Sequence, residues 1–370
     1  MSWPKRTWIC MDKYFMRMAI REAEKSRGLC SPNPFVGAVI VKDGKVIAKG
    51  RTQAYGFDHA EPDALKKAGK LAKGSTMYVT LEPCCHQGKT PPCTAAIIMA
   101  GVSRVVAGIA DPNPLVSGKG FEILQKAGIE VISGIEADRI ATQNEAFICN
   151  IVKKRPFVTW KCALSLDGKY AAMDGSSKWI SNELSRRMVH RMRAHSDVVL
   201  AGINSVIKDD AMLNTRGVKK HKQALRVVLD PYLDLNPSSR FAQIAVHTPA
   251  LVFHCTTNAK KEARLHAMGI QTSLVSGNAD EMDLNHVLSE LHLRKVSSVF
   301  LETGNRLSEA FWRAGLVDKC VIFFGNMILG GAQSCLNGLN LPSISEAIPL
   351  ERMKLTKLGQ NIMLSGYPLY

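Results

Sequence analysis

The chain has 370 residues, 46% of them hydrophobic and 22% charged, with a net charge of +16 and a pI near 9.4. That length is more than one core usually holds and favours two domains. The composition is that of a soluble globular protein, and no apolar run approaches the roughly 20 residues of a bilayer span. The opening MSWPKRTWICMDKYF lacks the continuous apolar stretch of a secretory signal. The expected location is therefore the cytoplasm, with the ten cysteines as reduced thiols.

In the first half, Met11, Phe15, Met18, Ala19 and Ala23 recur at helical spacing and predict a helix ending near Gly28, its methionines in the core. Ser31-Pro32-Asn33-Pro34 then forms a polar loop before a buried strand, Val36–Val41. Asp43-Gly44 predicts a hairpin turn into Val46–Lys49. Asn33 stands at the mouth of the first strand, where an amide serves either a turn or the edge of a heterocycle. His59 begins a second helix, with Pro62 in the first turn, where a missing N–H costs nothing. Met77–Leu81 is a strand that delivers Glu82-Pro83-Cys84, and Cys93 starts a helix through Ala100. Val102–Ile109 and Glu130–Ile132 are strands flanking a helix near Phe121–Ala127. Asp111-Pro112-Asn113-Pro114 follows the first of them. This order predicts a three-layer α/β/α domain.

His59, Cys84 and Cys93 supply one imidazole nitrogen and two thiolates, a set that suits zinc. Three protein ligands leave a fourth position for water, whose pKa zinc lowers to about 7. Glu61, two residues beyond His59, is placed to take that water's proton and return it to a leaving amine. H-x-E followed by P-C and a second cysteine is the signature of the zinc nucleobase deaminases, here with the second cysteine displaced to Cys93. A cysteine at a helix N-terminus also gains from the dipole.

Lys153-Lys154-Arg155-Pro156 breaks the pattern and divides the chain into domains 1–152 and 153–370. The positive excess is spread over both halves: 20 Lys+Arg against 14 Asp+Glu in residues 1–150, and 28 against 18 in the rest. Such a spread suits an anionic small molecule as well as nucleic acid. Clusters such as Lys219-Lys220-His221-Lys222 read as solvated loops. Phe157–Leu164, Asp197–Ala201, Leu225–Leu229, Leu251–Cys255 and Val299–Leu301 are predicted strands. Glu183–Ala194, Ala259–Met268 and Leu284–Leu293 are predicted helices. The alternation implies a largely parallel, doubly wound sheet. No G-x-G-x-x-G occurs; Gly118-Lys119-Gly120 is the nearest fragment and carries nothing alone. The Gly304 turn, between a strand and a helix, is able to bring backbone N–H groups to a pyrophosphate.

Thr80–Cys84 (TLEPC) and Gly88–Cys93 (GKTPPC) resemble the deaminase half of the RibD family, the bacterial bifunctional deaminase/reductases of riboflavin biosynthesis. The likeness extends over almost the whole chain through Lys161-x-x-x-Ser165-Leu166-Asp167-Gly168, Ser177-Lys178-Trp179-Ile180, Asp209-Asp210-x-x-Leu213-x-x-Arg216 and Glu302-x-Gly304. The resemblance implies a cytidine-deaminase-like first domain and a dihydrofolate-reductase-like second domain, with zinc and NADPH as cofactors. It makes Glu61 the catalytic acid/base and His59, Cys84 and Cys93 the zinc ligands. Asn33, Lys89, Asp111 and Asn113 become substrate contacts in the first site. Ser177, Arg193, Leu213, Arg216 and Glu302 become substrate contacts in the second. Ala163, Trp179, Ser205, Asp209 and the turn Gly304, Asn305, Arg306, Leu307 become NADPH contacts. The implied substrate is a phosphoribosylated pyrimidine, with no nucleic-acid or membrane partner, and a homo-oligomer is expected. The family usually has Val and then His or Asn where Pro62 and Asp63 stand, His at Thr52, Ser at Cys85 and Pro-Lys at Asn326-Met327; these departures bear on substrate affinity. Two rival readings are an RNA-editing deaminase with a basic RNA-binding second domain, and a scaffold with a structural zinc, for which Cys85 is the only fourth ligand at hand.

Overall fold

The computed structural model describes residues 5–218, 223–278, 281–331 and 334–370; the Lys219-Lys220-His221-Lys222 cluster lies outside the described residues. The chain divides into two compact units, Met1–Lys154 and Arg155–Tyr370. Among the described residues no helix is long and apolar enough to cross a membrane.

The first unit runs α1 (Lys5–Glu24), β1 (Gly37–Lys42), β2 (Lys45–Arg51), α2 (Ala60–Ala68), β3 (Thr76–Leu81), α3 (Cys93–Met99), β4 (Arg104–Ile109), α4 (Lys119–Lys126), β5 (Glu130–Ile132), α5 (Ala137–Gln143) and α6 (Glu145–Lys153). Its sheet has the order β2-β1-β3-β4-β5, antiparallel as far as β3 and parallel from β3 to β5. Successive strand residues point to opposite faces. Ala38, Ile40, Met77, Val79 and Val105 therefore pack on Ala60, Ala64, Ile97 and Leu124 of α2, α3 and α4. Val39, Val41, Tyr78 and Val106 pack on Phe15, Met16 and Ala19 of α1 and Ile140 of α5. The result is the expected three layers. Helices α5 and α6 are additions to the sequence reading. In α5 only Ile140 and Gln143 are buried, too few apolar positions to show a helical period.

The second unit runs β6 (Phe157–Leu164), α7 (Glu183–His195), β7 (Val198–Gly202), α8 (Ile203–Asp209), β8 (Leu225–Leu229), α9 (Arg240–Gln243), β9 (Ala250–His254), α10 (Ala259–Ala267), β10 (Ile270–Leu274), α11 (Leu284–Leu293), β11 (Ser298–Glu302), α12 (Asn305–Arg313), β12 (Lys319–Phe324), β13 (Leu350–Leu358) and β14 (Asn361–Pro368). Nine strands form one sheet in the order β10-β9-β8-β7-β11-β6-β12-β14-β13. The strands from β10 to β12 are parallel, but β14 and β13 add an antiparallel edge. The sheet is therefore largely parallel, as expected, with this antiparallel pair added at one edge. Strand β13 leaves most of its side chains in solvent, so no buried alternation marks it in the sequence. Parallel register sets Lys161 of β6 beside Glu302 at the end of β11. Ala163, Ser205 just beyond β7, Glu302 and Gly304 thus collect at the carboxyl edge of the sheet, where open α/β sheets bind ligands.

Candidate active sites

Helix α2 begins one residue after His59, which stands at its N-cap in extended conformation. Gly50 of β2 lets that helix approach: a Cβ there would lie 2.2 Å from the Ala60 carbonyl oxygen. Cys84 follows β3, and Cys93 is the first residue of α3. These three junctions bring His59, Cys84 and Cys93 together, with their ligand atoms all within 4.8 Å of one another. Nδ1 of His59 is 3.6 Å from Cys84 Sγ and 3.4 Å from Cys93 Sγ. A tetrahedral zinc with Zn–S near 2.3 Å and Zn–N near 2.0 Å would place its nitrogen and sulfur ligands about 3.5 Å apart. The residues fit the ion.

Hydrogen bonds among the three set their protonation. The Cys93 thiol, with His59, pulls Cys84 well below the ordinary thiol range, while its bond to Cys84 and burial push Cys93 up. Glu61 is 3% exposed, and burial raises its carboxyl to about 7. It lies close enough to the Cys93 thiol for each group to shift the other, which places it at the ligand cluster. Cys85 points elsewhere, its Sγ 3.8 Å from the Leu115 carbonyl. Among the described residues the ligand group is therefore three-membered, which removes the proposed fourth ligand of a structural zinc. Cys93→Ser is expected to empty the site, and Cys85→Ser to leave zinc per chain unchanged when measured by atomic emission. Zinc missing from Cys85→Ser would contradict this ligand set.

Asp111 is buried, raised to about 6 by that burial, and close enough to Cys84 to feel its charge. Its Oδ1 also accepts the Asn113 amide (2.8 Å), and Asn113 Oδ1 accepts the Leu115 amide (3.1 Å). The ammonium of Lys89 lies 4.1 Å from the centre of the Tyr55 ring, a neutral partner that leaves its charge available to an anion. Asn33 sits in the turn before β1, its amide bonded to the Cys30 carbonyl (2.9 Å). Two of the departures from the family pattern make local contacts. Thr52 is buried and its Oγ1 accepts the Val36 amide (3.1 Å), while Asp63 accepts the Arg51 amide (3.0 Å). One residue escaped the sequence reading. Buried Glu82 accepts the amides of Asp111 (3.1 Å), Gly118 (2.9 Å) and Gly120 (2.9 Å). The Gly118-Lys119-Gly120 fragment thus spends its two glycine amides on a carboxylate of its own unit.

In the second unit, Arg193 of α7 forms a two-pronged ion pair with the Glu302 carboxylate, the Nη2 arm at 3.1 Å. Lys161 Nζ lies 3.8 Å from the same carboxylate. Glu302 is held ionised against its burial by Arg193 and Lys161. Leu213 is buried, and Arg216 emerges three residues later with an exposed side chain. Trp179 is 67% exposed, with the Arg186 guanidinium 4.5 Å from its ring centre. Asp209, at the end of α8, lies 3.9 Å from Lys178 Nζ. Ser177 is exposed, its carbonyl accepting the Ile180 amide (3.2 Å). At the other end of the predicted cofactor set, no side chain caps α12 at Gly304. A Cβ on Gly304 would meet nothing within 4 Å, and Asn305 Oδ1 is buried with no partner among the described residues. Open space before a helix N-terminus with no side-chain cap fits a dinucleotide phosphate there, and the orphaned Asn305 acceptor suits a donor such as a ribose hydroxyl. Arg306 and Leu307 occupy the same first turn.

Residues 10–109 match the family model for the cytidine and deoxycytidylate deaminase zinc-binding region, and residues 156–364 match that for the RibD C-terminal domain. The riboflavin biosynthesis protein RibD of Aquifex aeolicus is 40% identical over 354 residues, covering 96% of this chain and 98% of its own. The chain belongs to the RibD family. It is thus a bifunctional enzyme of riboflavin biosynthesis, a zinc-binding deaminase joined to an NADPH-dependent reductase. RibD of Escherichia coli is 34% identical over 95% of this chain and 98% of its own. Among solved structures, RibD of Acinetobacter baumannii has a TM-score of 0.88 at 35% identity, covering 98% of this chain and all of its own. A Thermotoga maritima structure described as a diaminohydroxyphosphoribosylaminopyrimidine deaminase/5-amino-6-(5-phosphoribosylamino)uracil reductase has a TM-score of 0.84 at 34% identity, covering 98% and 99%. The RNA-editing reading falls on the second half, which matches the RibD C-terminal domain where that reading required an RNA-binding module.

Proposed function

We propose that the first unit hydrolyses 2,5-diamino-6-(5-phosphoribosylamino)pyrimidin-4(3H)-one to 5-amino-6-(5-phosphoribosylamino)uracil and ammonia, and that the second reduces the ribosyl group of that product to ribityl. The observation that carries the first step is Glu61, buried beside three convergent zinc ligands. Zinc held by His59, Cys84 and Cys93 supplies an acidified water at neutral pH. Glu61 takes the water's proton on its carboxylate and returns it to the departing amine. Asp111, Asn113 and Asn33 frame the pyrimidine, and Lys89 meets the phosphate.

Ala163, Trp179, Ser205, Asp209 and the Gly304–Leu307 turn would hold NADPH, which would supply hydride to the second site. Ser177, Leu213 and Glu302 orient the ribosyl substrate, while Arg193 fixes Glu302. Arg216 offers its guanidinium fork to the phosphate. The net positive charge serves these phosphorylated ligands, with neither nucleic acid nor membrane as partner. The enzyme acts in the cytoplasm as a homo-oligomer. Arg216→Ala removes one charge-assisted contact worth about 1.5–3 kcal/mol, so reduction is expected to fall about tenfold to a hundredfold. Ammonia release should be unchanged. Parallel assays of NADPH oxidation and ammonia check both statements, and reduction left intact would contradict the phosphate role.

A further inference from the structure

Segment 212–216 of the second unit is fixed residue by residue. Arg226, itself buried, donates to the Met212 carbonyl (3.2 Å). Leu213 is buried with φ 54°, a left-handed conformation that a leucine keeps only where its surroundings over-determine it. Arg193 Nη1 donates to the Asn214 carbonyl (2.9 Å), and Thr215 is buried. The last tie is to His190, whose Nδ1 accepts the Arg216 amide at 3.3 Å. His190 and Arg193 stand three residues apart on α7 and so share one helix face, gripping the segment together.

What the segment displays is Arg216. Its side chain is exposed, and its charged neighbours are the guanidiniums of Arg193 and Arg240. Those two are each paired with a carboxylate, Glu302 and Asp210, whereas Arg216 has no ion-pair partner among the described residues, so its charge is left for an outside anion provided its backbone cannot retreat. We propose that His190 is a positioning residue of the reductase site, holding the Arg216 amide so that the guanidinium is presented to the phosphate of the ribosyl substrate. This rests on the reading of Arg216 as the phosphate contact.

The acceptor role requires a neutral ring. Burial, then the charges of Arg193 and Arg216, hold the imidazole down to about 4 against the opposing pull of Glu302 and of the Asn214 backbone carbonyl. A folded pKa below the free value of about 6.5 means that the clamp is complete above pH 6.5 and that its stabilisation is lost as pH falls towards 4.

The test compares His190→Leu, His190→Asn, Arg216→Ala and the His190→Leu/Arg216→Ala double variant in the full-length enzyme, with the deaminated pyrimidine phosphoribosyl substrate and NADPH. Losing the acceptor in His190→Leu is expected to raise KM for the pyrimidine about tenfold. Its kcat and its KM for NADPH should stay within about threefold. In His190→Asn the amide oxygen replaces Nδ1 as acceptor, and KM should return to within about threefold of the parent. Because His190 acts through Arg216, adding His190→Leu to Arg216→Ala should cost nothing further.

Additive effects in the double variant would overturn the proposal, as would an asparagine variant as poor as leucine. If His190→Leu does not fold, His190→Ala takes its place: a raised KM for the pyrimidine that His190→Asn restores supports the role, and a KM like the parent's overturns it. If Arg216→Ala itself leaves KM unchanged, the phosphate assignment fails and this proposal with it. A KM sensitive to Arg216 and indifferent to His190→Leu overturns the positioning role alone.

Discussion

Glu61→Gln should stop ammonia release while leaving the reductase working. Glutamine keeps the size of the side chain and cannot accept a proton. Loss of a general acid/base typically costs about 10²- to 10⁴-fold. In the proposed mechanism one carboxylate serves both the attacking water and the leaving amine, so the upper end is expected. The residue is buried in the first unit, against Cys93, and the second unit has a core of its own, built around Trp160, Phe311 and Trp312. Supplied with already deaminated pyrimidine and NADPH, the variant should oxidise NADPH at the parent rate. Equal collapse of both activities in folded, zinc-loaded protein would mean one shared site.

Glu82→Leu should have the second large effect, on the stability of the first unit. The carboxylate is 3% exposed and binds the amides of Asp111, Gly118 and Gly120. Gly120 comes so close that a Cβ on it would lie 2.2 Å from the Pro83 carbonyl oxygen. Leucine would leave three amides unpaired, two of them buried, at a cost of about 1–3 kcal/mol for each buried one and not fully additive. A loss of about 3–5 kcal/mol is a large part of the usual 5–15 kcal/mol of a domain. Thermal unfolding followed by zinc release and by NADPH-linked activity should show the deaminase unit melting earlier and the reductase unit unmoved. An unchanged zinc-release midpoint would show that Glu82 does not hold the 111–120 loop.

The zinc cluster was legible because each ligand lies in a short local word at the end of an element: HAE at a helix start, PC after a strand, PPC before a helix. Glu82 was not. Its three donors lie 29, 36 and 38 residues further on, and no local pattern announces such a contact. His190 was equally silent, since a lone histidine within a helix reads as an ordinary surface or core residue until the 212–216 segment is folded against it. The parallel strands announced themselves as apolar runs buried on both faces. Strand β13 shows no such run, because its side chains face water, and the antiparallel edge was missed for that reason. In the second unit the resemblance named Arg193 and Glu302 separately. Only the fold shows them as one ion pair, with Lys161 on the same carboxylate.

The central claim is that two chemistries follow one another on this chain, and a single time course tests it. Zinc-loaded enzyme is given 2,5-diamino-6-(5-phosphoribosylamino)pyrimidin-4(3H)-one with NADPH, and ammonia and NADPH are followed together. The account predicts that ammonia appears first, that NADPH oxidation follows after a lag, and that the two end in equal amounts. The lag should vanish when the deaminated pyrimidine is supplied. NADPH oxidation on the diamino substrate without ammonia release, or ammonia release with no subsequent oxidation, would contradict it.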